Sequence, residues 1–118
     1  MITIAALCLA SNIYFEARGE PIDGQILVAE VTMNRGDDIC ATVFADSQFS
    51  WTNDKDLFIG NPEAFYQAYV LASDLIDNGC ILCSSATFYH TKAVDPYWAD
   101  HMVLLGSYGN HIFYKESL

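Results

Sequence analysis

The sequence predicts one mostly helical α+β domain with a few short strands, spanning residues 1–118. Three segments show apolar residues at three- and four-residue spacing, which is the period of an amphipathic helix. The stretches "ATFYH" and "GNHIFYK" are expected to form short strands, and "DPYWAD" a turn between them. A chain of 118 residues can bury one hydrophobic core but is too short for two domains.

The first predicted helix covers residues 2–16 and carries the first carboxylate of the sequence. Its apolar stripe consists of Ile2, Ala5, Ala6, Leu9 and Ile13. Because successive helical residues are rotated by about 100°, Glu16 continues this stripe. We therefore expect the Glu16 side chain to point into the protein rather than towards solvent.

Two further helices are predicted. One begins near Pro21 and runs to about Asn34; it is apolar on two sides, which is typical of a central helix. The other is capped by Asn61 and ends at Gly79. Between them, residues 36–60 are rich in Gly, Asp, Ser and Asn, and predict loops with short extended pieces around "ATVF" and "QFSW".

The charge balance is strongly acidic, with a net charge of −10 and only five basic residues. Nucleic-acid binders need a basic surface, so we expect no nucleic-acid partner. No apolar run approaches the ~20 residues that span a bilayer, so we expect no membrane anchoring. A neutral polymer such as a glycan is a suitable partner, although the acidity could also serve solubility alone.

The four cysteines are Cys8, Cys40, Cys80 and Cys83. The single "CILC" motif has no second pair and no His cluster beside it, so we predict no metal and no cofactor. Reduced cysteine packs as a small hydrophobic residue. We therefore expect buried free thiols.

Glu16 is the leading candidate for acid–base chemistry. It follows Tyr14 and Phe15 at the end of an apolar helix, where loss of hydration would raise its pKa. A carboxyl that holds its proton near neutral pH can act as a general acid in glycosidic cleavage. The alternative is an ion pair with Arg18 or Arg35, which would lower the pKa instead.

Glu20 and Glu30 are candidates for a second carboxylate. Glycosidases that use two carboxyl groups hold them ~5–5.5 Å apart for retention or ~6.5–9.5 Å for inversion. Gly19 and Pro21 interrupt the helix between Glu16 and Glu20, so the spacing does not fix their separation. Glu20 could equally anchor the second helix.

Several motifs together resemble one known family. They are "YFEARGEPIDGQILVAEVTMNR", "VFADSQFSW", "ATFYH", "DPYWA" and "GNHIFY", and they extend from Tyr14 to Tyr114. The sequence resembles the spore cortex-lytic (SleB-type) cell-wall hydrolases. This resemblance implies a lysozyme-like, goose-type transglycosylase fold and an enzyme that acts on the glycan strands of peptidoglycan.

The resemblance also implies a reaction and a site. Glu16 matches the family's catalytic glutamate and would cleave the MurNAc–GlcNAc bond, giving a 1,6-anhydro-MurNAc product. A lone carboxylate suffices, because the attacking hydroxyl belongs to the substrate. The residues implied to bind or support the sugar are Gln48, Phe49, Ser50, Tyr89, His90, His111 and Tyr114.

The first residues lack the positive charge of a signal peptide, so we expect synthesis in the cytoplasm and action at the bacterial cell wall. A bare catalytic domain of this kind resembles a phage endolysin, and we expect a monomer. Two alternatives stay open. One is a muramidase in which Glu20 or Glu30 activates water; the other is a non-catalytic wall-binding or virion module.

Overall fold

The computed structural model describes residues 2–45 and 58–117, and the statements below concern this part of the chain. The helices are α1 (Ile4–Ala17), α2 (Ile22–Arg35), α3 (Ile39–Phe44) and α4 (Pro62–Asn78), and the strands are β1 (Phe88–Thr91), β2 (Met102–Tyr108) and β3 (His111–Glu116). A 3-10 helix, Tyr97–His101, lies where "DPYWAD" predicted a turn. The mostly helical α+β class is confirmed.

Local capping sets the helix limits. The Thr3 side chain accepts a hydrogen bond from the backbone of Ala6, so α1 begins two residues later than predicted. Asn61 caps α4 in the same way, and Gly79 ends it with a φ of 89°. Glycine tolerates this left-handed conformation without the steric cost of a Cβ.

Helix α2 is central, as its two apolar sides predicted. Ala29 packs in a cluster with Leu9 of α1 and Leu75 of α4. Val31, on another side of α2, packs in a second cluster with Phe113 of β3. The helical layer and the sheet are therefore joined through α2.

The sheet is antiparallel with the order β1-β3-β2. Because side chains alternate along a strand, Tyr89 lies on one face with His111 and Phe113, whose rings it contacts. His90 and Tyr114 lie on the other face, against Trp98. The first of these faces packs on the helices.

The prediction for residues 36–60 is wrong in part. The segment "ATVF" is not extended: it lies in α3, which Asp38 caps by accepting from the backbone of Ala41. Val43 of this helix is fully buried. The segment "QFSW", with Gln48, Phe49 and Ser50, lies outside the described residues.

The prediction of free thiols is also wrong. Cys8 of α1 is bonded to Cys40 of α3, and Cys80 is bonded to Cys83. The first bond crosslinks two helices that are distant in sequence, which the spacing of the cysteines could not indicate. No helix in the described ranges is long and apolar enough to cross a membrane.

Candidate active site

Glu16 lies in the last turn of α1, next to β1. The helix ends at Ala17, and Gly19 adopts a φ of 92° where the chain turns towards α2. The Tyr89 hydroxyl lies close enough to act on the Glu16 carboxyl, and Arg35 of α2 adds a nearby positive charge. Burial raises the pKa of Glu16 from its ordinary value of 4.5, while the Tyr89 hydroxyl and the Arg35 charge oppose this shift.

Both predicted influences on the pKa of Glu16, burial and a nearby arginine, are therefore present, and burial has the larger effect. The Arg35 charge opposes the effect of burial without outweighing it, and its guanidinium also interacts with other groups. Its Nε donates to the Thr87 carbonyl at 2.6 Å, and its central carbon lies 4.8 Å from the Phe88 ring centroid. The net result is a carboxyl that retains its proton to higher pH than an exposed one.

Among the described residues, Arg18 is a second cation near Glu16, and it is exposed where the clefts open. It donates to the Tyr14 hydroxyl and lies over the Tyr14 ring, with its central carbon 4.6 Å from the ring centroid. The Tyr14 hydroxyl also accepts from the backbone of Asn61, at 3.0 Å. Arg18 thus connects the end of α1 to the start of α4.

Glu20 is held by the hairpin between β2 and β3. Its Oε1 accepts from the Asn110 backbone N–H at 2.8 Å and lies 2.9 Å from Nδ1 of His111. A Cβ at Gly109 would come within 2.6 Å of Glu20 Oε2, so only glycine allows this close approach. Glu20 therefore anchors the hairpin to the turn that follows α1.

Glu30 is enclosed by a loop. It is 2% exposed, and its two carboxylate oxygens accept four backbone N–H bonds. The donors are Ile81, Leu82, Cys83 and Ser84. A carboxylate enclosed in this way is a structural anion and is not positioned to activate water.

The surface around Glu16 is grooved. One cleft of about 270 Å³ is lined by both Glu16 and Glu20 and by residues of the hairpin. A second, of about 160 Å³, lies between Glu16 and Phe58, and a third, of about 210 Å³, extends towards Gln67 of α4. All three share Arg18, so they adjoin and form an extended depression. Such a shape suits a linear polymer better than a compact ligand.

Of the other predicted site residues, the structure brings His111 to this groove and Tyr89 to the Glu16 side chain. Tyr89 contacts Glu16, and burial raises its pKa well above 10, so its hydroxyl remains a proton donor. His111 lines the cleft shared by Glu16 and Glu20. Burial lowers the pKa of His111 from 6.5, while the neighbouring Glu20 acts in the opposite direction.

His90 and Tyr114 are placed differently. They lie on the opposite face of the sheet from Tyr89, and His90 Nε2 is 2.8 Å from the Tyr114 hydroxyl. His90 Nδ1 is 2.7 Å from the Thr91 carbonyl. Neither residue is among the described residues that line the three clefts.

Two buried polar residues behind the site were missed from the sequence, Asn12 and Thr32. Both are 0% exposed, and Thr32 Oγ1 donates to Asn12 Oδ1 at 2.7 Å. Asn12 lies one helical turn before Glu16 on α1. An amide inside an uncharged apolar helix, four residues before a candidate acid, is the signal that could have identified it.

A helical core with a small antiparallel sheet, and a half-buried glutamate at the end of the first helix, define a lysozyme-like domain. The chain belongs to the cell wall hydrolase family, whose model matches residues 19–114. The predicted resemblance is thereby confirmed, and the protein is an enzyme that degrades peptidoglycan. Glu16 precedes the matched range, so its assignment depends on the geometry described above.

Solved structures show the same architecture. The catalytic domain of the germination-specific lytic transglycosylase SleB from Bacillus anthracis matches with a TM-score of 0.74 and 24% identity, covering 97% of each chain. The catalytic domain of the Bacillus cereus SleB protein matches with a TM-score of 0.71 and 25% identity, covering 98% of this chain and 93% of that one. No curated protein sequence matches the chain.

Proposed function

We propose that this enzyme cleaves the MurNAc–GlcNAc bond of peptidoglycan by lytic transglycosylation, with Glu16 as the one catalytic carboxyl group among the described residues. The observation that carries this proposal is the difference between the surroundings of Glu16 and those of Glu20 and Glu30. Glu20 and Glu30 are both held by N–H groups of the protein, whereas burial prepares Glu16 to carry a proton. The similar domain from Bacillus anthracis is itself described as a lytic transglycosylase.

The proposed reaction needs one proton carrier. Protonated Glu16 gives its proton to the bridging oxygen as the bond from that oxygen to C1 of MurNAc breaks. The resulting carboxylate then accepts the proton of the MurNAc C6 hydroxyl, and the C6 oxygen bonds to C1. The products are a free GlcNAc hydroxyl and a 1,6-anhydro-MurNAc end, and Glu16 is protonated again.

The surroundings of Glu16 suit both halves of this cycle. Burial favours the protonated form that is needed first. The Tyr89 hydroxyl and the Arg35 charge favour the carboxylate that exists between the two proton transfers. An acid that must later act as a base needs groups that stabilise each of its two forms.

The competing muramidase mechanism gives Glu20 the role of activating water, and the shared cleft is the observation in its favour. Mass spectrometry of digested sacculi separates the two mechanisms. Transglycosylation predicts anhydro ends, lighter by one water than the reducing ends of hydrolysis. Glu20→Gln should reduce the rate but leave anhydro products, because Glu20 is not in the proposed chemistry.

A non-catalytic wall-binding module is tested by Glu16→Gln, which preserves side-chain volume and removes the acid. We expect this variant to bind sacculi and release no fragments. Wild-type release of fragments by Glu16→Gln would contradict the assignment. The endolysin role that the resemblance implies belongs to the same proposal, and lysis of bacteria that co-express the enzyme with a pore-forming protein tests it.

A further inference from the structure

Arg18 is an exposed cation that the structure holds in one place. Its guanidinium donates to the Tyr14 hydroxyl and lies over the Tyr14 ring, with its central carbon 4.6 Å from the ring centroid. Tyr14 is itself fixed, since it is 2% exposed and its hydroxyl accepts from the Asn61 backbone at 3.0 Å. Because the guanidinium is already ordered, a ligand that binds it costs little side-chain entropy.

Most of the hydrogen-bonding capacity of Arg18 is unused. A guanidinium has five N–H donors, and within residues 2–45 and 58–117 the bond to Tyr14 engages one of them. The ion pair found in these ranges joins Glu20 to His111, and Arg18 forms none there, although the chain has 15 acidic residues. The link between α1 and α4 therefore does not account for the free side of this cation.

One of the three clefts, called the side cleft below, is lined by Arg18 but not by Glu16. It measures about 210 Å³, and the amides of Gln25 and Gln67 also line it. Gln25 Nε2 donates to the Glu20 carbonyl at 3.0 Å, which leaves its Oε1 as an acceptor. The apolar part of the lining includes Ile13, Ala64 and Ala68. One positive charge, two amides and small apolar side chains suit a short acidic peptide.

Peptidoglycan carries such a peptide close to the bond that the enzyme is proposed to cleave. The stem peptide, with its free carboxylates, is attached to the lactyl group on O3 of MurNAc. Cleavage at C1 of MurNAc requires this sugar to lie next to Glu16, so its stem must leave the groove nearby. Arg18 follows Glu16 by two residues and lines both clefts that contain Glu16 as well as the side cleft.

We propose that the side cleft binds the stem peptide of the cleaved MurNAc, with Arg18 binding a stem carboxylate and the two amides bonding the peptide backbone. The inference rests on the proposed function, because Glu16 determines where MurNAc lies. Glu20 is the one acidic residue among the described residues that line this cleft, and its Oε1 is held by Asn110 and His111. The enzyme therefore prefers strands with charged stems to strands with amidated ones.

Binding of MurNAc-L-Ala-D-Glu and of its diamide isolates the charge, because the two probes have nearly the same size and shape. In NMR titrations of the wild type, the Kd of the acid should be about three- to fivefold lower than that of the diamide. Arg18→Gln should bind both probes equally. Lys115→Gln is the matched control: it removes the same charge from an exposed position outside the three clefts and should keep the preference. Equal Kd values in the wild type, or a preference that survives in Arg18→Gln, would overturn the proposal.

Arg18→Gln also removes the contact with the Tyr14 ring, so Gln67→Glu gives a second test that leaves this contact in place. Gln67 is exposed on α4, and the variant should therefore fold normally. The added negative charge should abolish the preference for the acid, while the Kd of the diamide stays within about twofold of wild type. An undiminished preference for the acid would overturn the proposed site.

Cleavage provides the corresponding kinetic test. Strands with intact stems should be cleaved with a kcat/KM about three- to fivefold higher than strands whose carboxylates have been converted to amides, and this ratio should approach one in Arg18→Gln. If the probes bind as expected but no glycan is cleaved, the proposed function fails and the stem site stands. If anhydro products form without any preference for charged stems, the proposed function stands and this inference fails.

Discussion

Replacing Glu30 with glutamine removes the charge from a carboxylate that accepts four backbone N–H bonds. Oε2 accepts three of these bonds and Oε1 accepts the one from Ser84. If the glutamine oxygen takes the place of Oε2, its NH₂ group must face the Ser84 N–H. The bond from Ser84 is then lost, because two donor groups face each other, and the other three bonds change from charge-assisted to neutral.

The magnitude follows from these changes. Hydrogen bonds to charged groups contribute about 1.5–3 kcal/mol and neutral ones about 1 kcal/mol, while an unpaired buried donor costs about 1–3 kcal/mol. We expect Glu30→Gln to lower the free energy of unfolding by about 4 kcal/mol. For a domain of this size the melting temperature should fall by roughly 12–20 °C.

Calorimetry of the variant measures this loss directly. Glu116→Gln is the matched control: the same chemical change at an exposed position of β3, which should stay within about 0.5 kcal/mol of wild type. Below its melting temperature, Glu30→Gln should still cleave sacculi. A loss of less than about 1 kcal/mol would refute the role of this carboxylate, and loss of cleavage in the folded variant would revive Glu30 as a catalytic group.

Three further predictions concern other parts of the structure. Glu20→Gln weakens the anchor to Asn110 and His111, so cleavage should fall about five- to twentyfold without a change of product; complete loss of cleavage in a folded variant would contradict this. Because its pKa is raised in the folded state, the Glu16 carboxyl contributes stability below about pH 4.5, and this stability is lost as the pH rises through the folded-state pKa. Glu16→Gln should therefore raise the melting temperature at pH 7 and not at pH 4. Equal effects at both pH values would contradict the direction of the pKa shift. Replacing Cys8 and Cys40 together by alanine opens a crosslink with a sequence separation of 32 and should cost about 3–4 kcal/mol in calorimetry; an unchanged melting temperature would show that the bond does not form.

Features encoded by neighbouring residues could be predicted from the sequence. Helix α4 was correctly predicted because its cap, Asn61, and its terminator, Gly79, are local signals. The inward direction of Glu16 followed from helical periodicity in α1. The central place of α2 followed from its two apolar sides.

Features that depend on contacts between residues distant in the sequence could not be predicted. Strand β2 was missed because it is exposed along almost its whole length and lacks an alternating pattern. The β-branched residues of "ATVF" favour a strand locally, but the Asp38 cap and a buried Val43 stabilise a helix. Likewise, the contact of Asn12 with Tyr89 exists only after α1 has packed against the sheet.

The central claim is that Glu16 holds its proton to higher pH than an exposed carboxyl does, because its surroundings are poorly hydrated. An NMR titration of ¹³C-labelled glutamate, with Glu16→Gln used to assign the Glu16 signal, measures this most directly. We predict a midpoint for Glu16 clearly above 4.5. A midpoint at or below that value would contradict the account, because the surroundings of Glu16 would then not favour the protonated form that the first proton transfer needs.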